Sequence, residues 1–165
     1  MTAPRKLLII GGLALAAWGM GYGIYYAVFV EHQTLDGLGS ALATGFMRAA
    51  QRRMPESQAA LADAASRSFV YVRQVDAHGH WIGLGLLLVI LGIAFDRVAL
   101  QDRVRFHYAL ALYLGSVLFP LGVLLETWNR GSGPQAIAVV GSGLVIIGLC
   151  GTAWGFARAG RKRIH

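Results

Sequence analysis

Apolar residues gather into four long runs, Leu7 to Val30, Ala77 to Phe95, Val104 to Leu125 and Pro134 to Ala157, separated by segments rich in charge. A hydrocarbon core of roughly 30 Å takes about 20 helical residues to cross, so each run predicts a membrane-spanning helix. The first follows Arg5 and Lys6 and extends 24 residues without a charge. A cleavable signal has an apolar region of only about 7–15 residues and ends in small side chains. This run closes on Tyr25, Tyr26, Val28 and Phe29 and reads as a retained anchor. Pro120 predicts a kink in the third span, and Pro134 stands in the first turn of the fourth, where a missing N–H costs nothing. The connections Asp96 to Arg103 and Glu126 to Gly133 are short, which makes spans two, three and four antiparallel neighbours.

The 46 residues from Glu31 to Asp76 are too many for a turn and too apolar for a disordered linker. Leu35, Leu38, Leu42, Phe46 and Ala49 recur at helical spacing, as do Leu61, Ala64, Ala65, Phe69 and Val72, and Met54-Pro55 breaks the pattern between them. A helical hairpin follows. Its second arm has no Gly or Pro from Glu56 into Ala77, which predicts one long helix entering the second span, bent at Gly79. The apolar faces are expected to lid the bundle, with a docking surface or a cover over a buried site as the functional alternative. The fold class is therefore all-α: a single membrane domain over 1–165, a four-helix bundle with an outer hairpin.

Composition sharpens this picture. The chain of 165 residues is 56% hydrophobic and 14% charged, with a mean hydropathy of +0.54, which excludes an ordinary soluble enzyme. One cysteine, Cys150, excludes a disulfide framework and a CxxC motif. The formal charge of +7 is unevenly placed. With both termini inside, the inner side holds Arg5, Lys6, Arg97, Arg103, Arg105, Arg158, Arg161, Lys162 and Arg163 against Asp96 and Asp102, a net +7. Arg48, Arg52, Arg53, Arg67, Arg73 and Arg130 on the outer side are balanced by Glu31, Asp36, Glu56, Asp63, Asp76 and Glu126. Cytoplasmic segments are enriched in Lys and Arg, so both termini are expected in the cytoplasm, with a bacterial inner membrane as the location. That orientation accounts for the basic pI without nucleic acid, and anionic headgroups are the expected counterpart.

Candidate chemistry concentrates at the outer end of the second span. His78-Gly79-His80 places two imidazoles near membrane depth, where ionisable groups are rare. Positions i and i+2 of a helix lie about 200° apart, so both rings cannot enter one pocket. Below His78 follow Gly85 and Gly92, and below His80 follow Leu84, Leu87 and Leu91. His78 is thus the candidate for the interior. The glycine strip beneath it leaves room either for a neighbouring helix or for a flat macrocycle. His32 and Glu126 fall at a similar level, and His32, His78, His80 and Glu126 form an alternative copper-type site. His107 lies at the inner end of span three, an interfacial residue near Arg103, Arg105 and Tyr108. Gly19-x-x-x-Gly23 and Gly151-x-x-x-Gly155 predict close helix packing, and Tyr22, Tyr25, Tyr26, Trp81 and Trp128 an outer aromatic belt, with Trp154 on the inner side. No span carries the paired carboxylates or broken-helix symmetry of a pump, and there is no Ser-His-Asp set, H-E-x-x-H or phosphate loop.

The stretch His78-Gly79-His80-Trp81-Ile82-Gly83-Leu84-Gly85 resembles the H-x-H-x-x-x-L-G helix opening of small membrane proteins related to single modules of the haem–copper oxidase catalytic subunit. With Ala77 before it, the stretch also resembles the A-H helix opening of styrene oxide isomerases, four-span proteins of similar length. The resemblance implies a bundle that binds haem b through an axial histidine near one membrane face. His78 carries over as ligand, His80 as the second histidine of the motif and Gly85 as part of the cofactor slot. The expected function is a haem b protein in electron transfer or acting on a small lipophilic substrate. The alternatives are a non-catalytic accessory subunit of a larger membrane complex, or the bare-metal site. Limited interior space makes a homo-oligomer the natural way to cover a large cofactor.

Overall fold

The computed structural model of the chain describes residues 1–161; Lys162 and Arg163 of the basic inner set lie outside the described residues. Five helices follow in order: α1 (Ala3–Phe29), α2 (Glu31–Ala50), α3 (Met54–Ala94), α4 (Asp102–Leu125) and α5 (Ser132–Arg161), with a short 3-10 turn at Phe95–Arg97. Among the described residues, α1, α3, α4 and α5 are long and apolar enough to cross a membrane, and α2 is not one of them. The predicted all-α class with four long apolar helices is the observed one. The 41 residues of α3 run unbroken from the hairpin through Gly79 to the far end of the second span. At 1.5 Å per residue this is a rod of about 60 Å, twice the hydrocarbon thickness.

Bulky core side chains alternate with glycines, and the glycines decide which helices touch most closely. α1 lies on α3: an added Cβ at Gly12 would stand 2.5 Å from the Gly85 carbonyl oxygen, and one at Gly92 would stand 2.7 Å from Ile9. α5 lies on α4 in the same way, with Gly122 against Ala138 and Gly141 against Phe119. In lipid, helix association depends on such close backbone approach, because the surrounding tails are as apolar as the helices. Gly19 packs on Trp81, Gly23 on His78, Gly151 on Tyr108 and Gly155 on Val98, so both predicted small-residue spacings serve contacts within the chain. Leu8, Leu88, Phe95 and Leu112 belong to the apolar core and are buried. Helix α4 continues through Pro120.

The hairpin departs from expectation in its packing. Ala41 and Gly45 of α2 are buried against α3, where Ala64 is buried and Ser57 donates to the Gly45 carbonyl at 2.8 Å. Leu35, Leu42 and Phe46, predicted to pack inward, stand outward, with Phe46 69% exposed. The physical reason is size: Gly45 leaves room for the Leu61 side chain of α3 and Ala41 adds little bulk, so α2 and α3 lie close along that face while the larger side chains of α2 turn away from it. The aromatic belt is likewise thinner than predicted. Trp81 and Tyr26 are 3% exposed and belong to the interior, whereas Tyr25, Trp128 and Trp154 are exposed.

Candidate functional site

At the hairpin end of the bundle, the turn of α3 from Asp76 to Gly83 sends its side chains in three directions. Ala77 and Trp81 point into the core and are buried. His78 faces α1, where its ring lies against Gly23, and it is half-buried. His80 faces the α4 side, with its ring edge-to-face on Phe119 at a centroid distance of 4.8 Å, and it is exposed. The two imidazoles therefore occupy different faces, as the 200° offset requires.

Both rings are held in the same manner. His78 Nδ1 donates to the Gln74 carbonyl at 3.2 Å and His80 Nδ1 donates to the Asp76 carbonyl at 2.6 Å. A carbonyl only accepts, so each neutral ring carries its proton on Nδ1 and its free lone pair on Nε2. This is the tautomer in which an imidazole ligates a metal, with the second nitrogen fixing its orientation.

Their surroundings differ. The strip beneath His78 is filled by α1: an added Cβ at Gly85 would stand 2.7 Å from both Ala16 N and Gly12 O. Of the two uses a glycine strip allows, the structure takes the close helix approach, and no flat macrocycle fits between α1 and α3 at Gly85. Beside His80, Gly79 and Gly83 have no atom within 4 Å of an added Cβ. They floor an open groove of about 450 Å³ that Val75, Asp76 and Leu84 complete. A single imidazole with a free Nε2 beside a bare floor suits one face of a flat ring system.

The four-residue metal set is not assembled. Among the described residues no three His, Cys, Asp or Glu side chains come together to hold a metal ion. Glu126 is 8% exposed, and its carboxylate is engaged by Arg73 at 3.0 Å. Arg73 and Arg130 flank the Phe69 ring at 5.1 and 4.3 Å, and Arg130 donates to Ser66 at 2.9 Å. Glu126 thus anchors the hairpin arm of α3 to the end of α4, and His32 is exposed on the first turn of α2. His107, at the opposite end of the bundle, donates through Nδ1 to the Arg103 carbonyl at 2.6 Å.

A feature that sequence reasoning missed lies between α1, α3 and α4. Trp18, Trp81, Tyr113, Val117 and Leu121 line an apolar cleft of about 440 Å³ that opens to the outside of the bundle beside the exposed Trp18. Trp81 is fixed there by edge-on contacts with Trp18 at 6.2 Å and Tyr22 at 5.7 Å. The signal available in the sequence was the helical phase of Tyr113 with Val117, Leu121 and Leu124. Trp18 gave none, since an aromatic in an apolar span reads as lipid-facing. No family model, curated protein or solved structure matches the chain.

Proposed function

We propose that the chain is a membrane-embedded haem b protein in which His80, in place of the His78 that the resemblance implies, would hold the iron, and that it passes electrons or acts on a small lipophilic molecule taken from the bilayer. The setting of His80 carries this reading: an Nδ1 tied to the Asp76 carbonyl, a free lone pair on Nε2 and an adjoining groove floored by Gly79 and Gly83. When bound, haem supplies a one-electron couple or a ferric Lewis acid. In this reading Phe119 and the Asp76 carbonyl orient the imidazole, and the cleft of Trp18, Trp81 and Tyr113 receives the apolar molecule. A groove on a single helix covers one face of a macrocycle, so the reading includes a second surface, supplied by another copy of the chain or by a larger membrane complex. The basic residues at the end where α1 and α4 begin support cytoplasmic termini in a bacterial inner membrane.

The test is the visible spectrum and pyridine haemochrome of detergent-purified protein from haem-replete cells. A Soret band is expected in the wild type, in His78→Ala and in His107→Ala, and its loss is expected in His80→Ala. A colourless wild type, or a band that survives His80→Ala and disappears in His78→Ala, contradicts the assignment.

The accessory-subunit reading is favoured by one observation, the outward apolar stripe of Leu35, Leu42, Phe46 and Met47 on α2. It predicts a colourless protein that purifies with a larger membrane partner.

A further inference from the structure

At the opposite end of the bundle from His80, the first turns of α1 and α4 border an open pocket of about 520 Å³. Pro4 and Phe106 give it apolar walls, and Arg103, Arg105 and His107 give it cationic or hydrogen-bonding ones. The lone carboxylate in the wall, Asp102, is already paired with the Arg105 guanidinium, whose Nε is buried without a partner. Asp96 nearby is occupied too, by Arg5 at 2.8 Å and the Thr2 hydroxyl at 2.7 Å. Arg103 forms no ion pair among the described residues. With Nδ1 of His107 committed to the Arg103 carbonyl, its Nε2 remains free. Arg103 is therefore the pocket's cation without a carboxylate partner among the described residues, and it stands beside apolar surface: Phe106 is 40% and Val104 38% exposed in the first turns of a spanning helix.

We infer that this pocket seats the phosphate of an anionic phospholipid, with Arg103 and Arg105 on the headgroup and Phe106 against the upper acyl chains. A free phosphate would use the arginines alone. The apolar wall at the level where the spans begin is what selects a lipid. A basic residue near an anionic leaflet contributes about 1 kcal/mol, which corresponds to about fivefold in retention. The site is independent of any cofactor at His80.

The experiment reconstitutes the full chain in bilayers of phosphatidylcholine and phosphatidylglycerol, extracts it gently and counts retained lipids by native mass spectrometry. Phosphatidylglycerol is expected to be retained over phosphatidylcholine. Arg103→Gln should lower its retention about fivefold, and Arg103→Gln with Arg105→Gln should lower it further. Arg97→Gln, at the same end but outside the pocket, should lower it by clearly less than Arg103→Gln. Added inorganic phosphate should not displace the lipid. Arg103 has no ion-pair partner to orphan among the described residues, so its single variant carries the test if the double variant fails to fold. Equal retention of both lipids, equal weakening by Arg97→Gln, or displacement by inorganic phosphate would each overturn the inference.

Discussion

Arg52 holds a backbone φ of 59°, the left-handed region that side chains with a Cβ enter at a cost of about 1–2 kcal/mol. It does so because the end of α2 is closed by paired turns, Arg53 N to Arg48 O and Arg52 N to Ala49 O, each at 2.9 Å. This closure ordinarily places glycine at that position. Arg52→Gly should therefore raise stability by about 1 kcal/mol, read as a higher midpoint in a thermal melt. The Arg73–Glu126 pair sets the opposite case. Glu126 is almost wholly buried, so Arg73→Ala strands a carboxylate and should cost about 2–3 kcal/mol, less than for a fully buried pair because Arg73 is partly exposed. Adding Glu126→Leu should recover most of that loss in the same melt.

Between elements, the glycines sort into those that a neighbouring helix needs and those that none does. Gly85→Leu and Gly122→Leu drive a side chain into a facing backbone and should destabilise the fold by about 3 kcal/mol or more. Gly83→Leu meets nothing and should leave the melt unchanged or slightly higher, since leucine is the better helix former. If haem rests on the α3 groove, the same variant should lower haem content, because it raises a side chain from the floor. Much of this level was legible from sequence. Hydropathy located the four spans, and Met54-Pro55 located the hairpin turn within a few residues. The unbroken arm from Glu56 foretold the long α3. What periodicity could not supply was the choice between partners. A stripe of Leu35, Leu42 and Phe46 marks a face without saying what covers it, and here the smaller Ala41 and Gly45 make the seam. For the same reason the strip below His78 left helix and macrocycle equally open until α1 was seen to occupy it. The histidines were legible as chemistry, but their neighbours Gly23 and Phe119 come from distant parts of the chain.

On the scale of the whole molecule, two glycine-seamed pairs, α1 with α3 and α4 with α5, leave an apolar cleft between α1, α3 and α4 and an open groove at the hairpin end. The arrangement implies a topology that can be read directly. With Cys150 replaced by alanine, single cysteines at Thr2 and at Asp36 should react with impermeant reagents from opposite sides of sealed vesicles. The Thr2 position is expected on the cytoplasmic side, where positive charge accumulates. The most direct test of the central claim is the spectrum of His80→Gly titrated with free imidazole. Removing the ring while keeping the groove should abolish or shift the Soret band, and added imidazole should restore it by occupying the vacated position. An unchanged band in His80→Gly before any imidazole is added would show that the iron is held elsewhere.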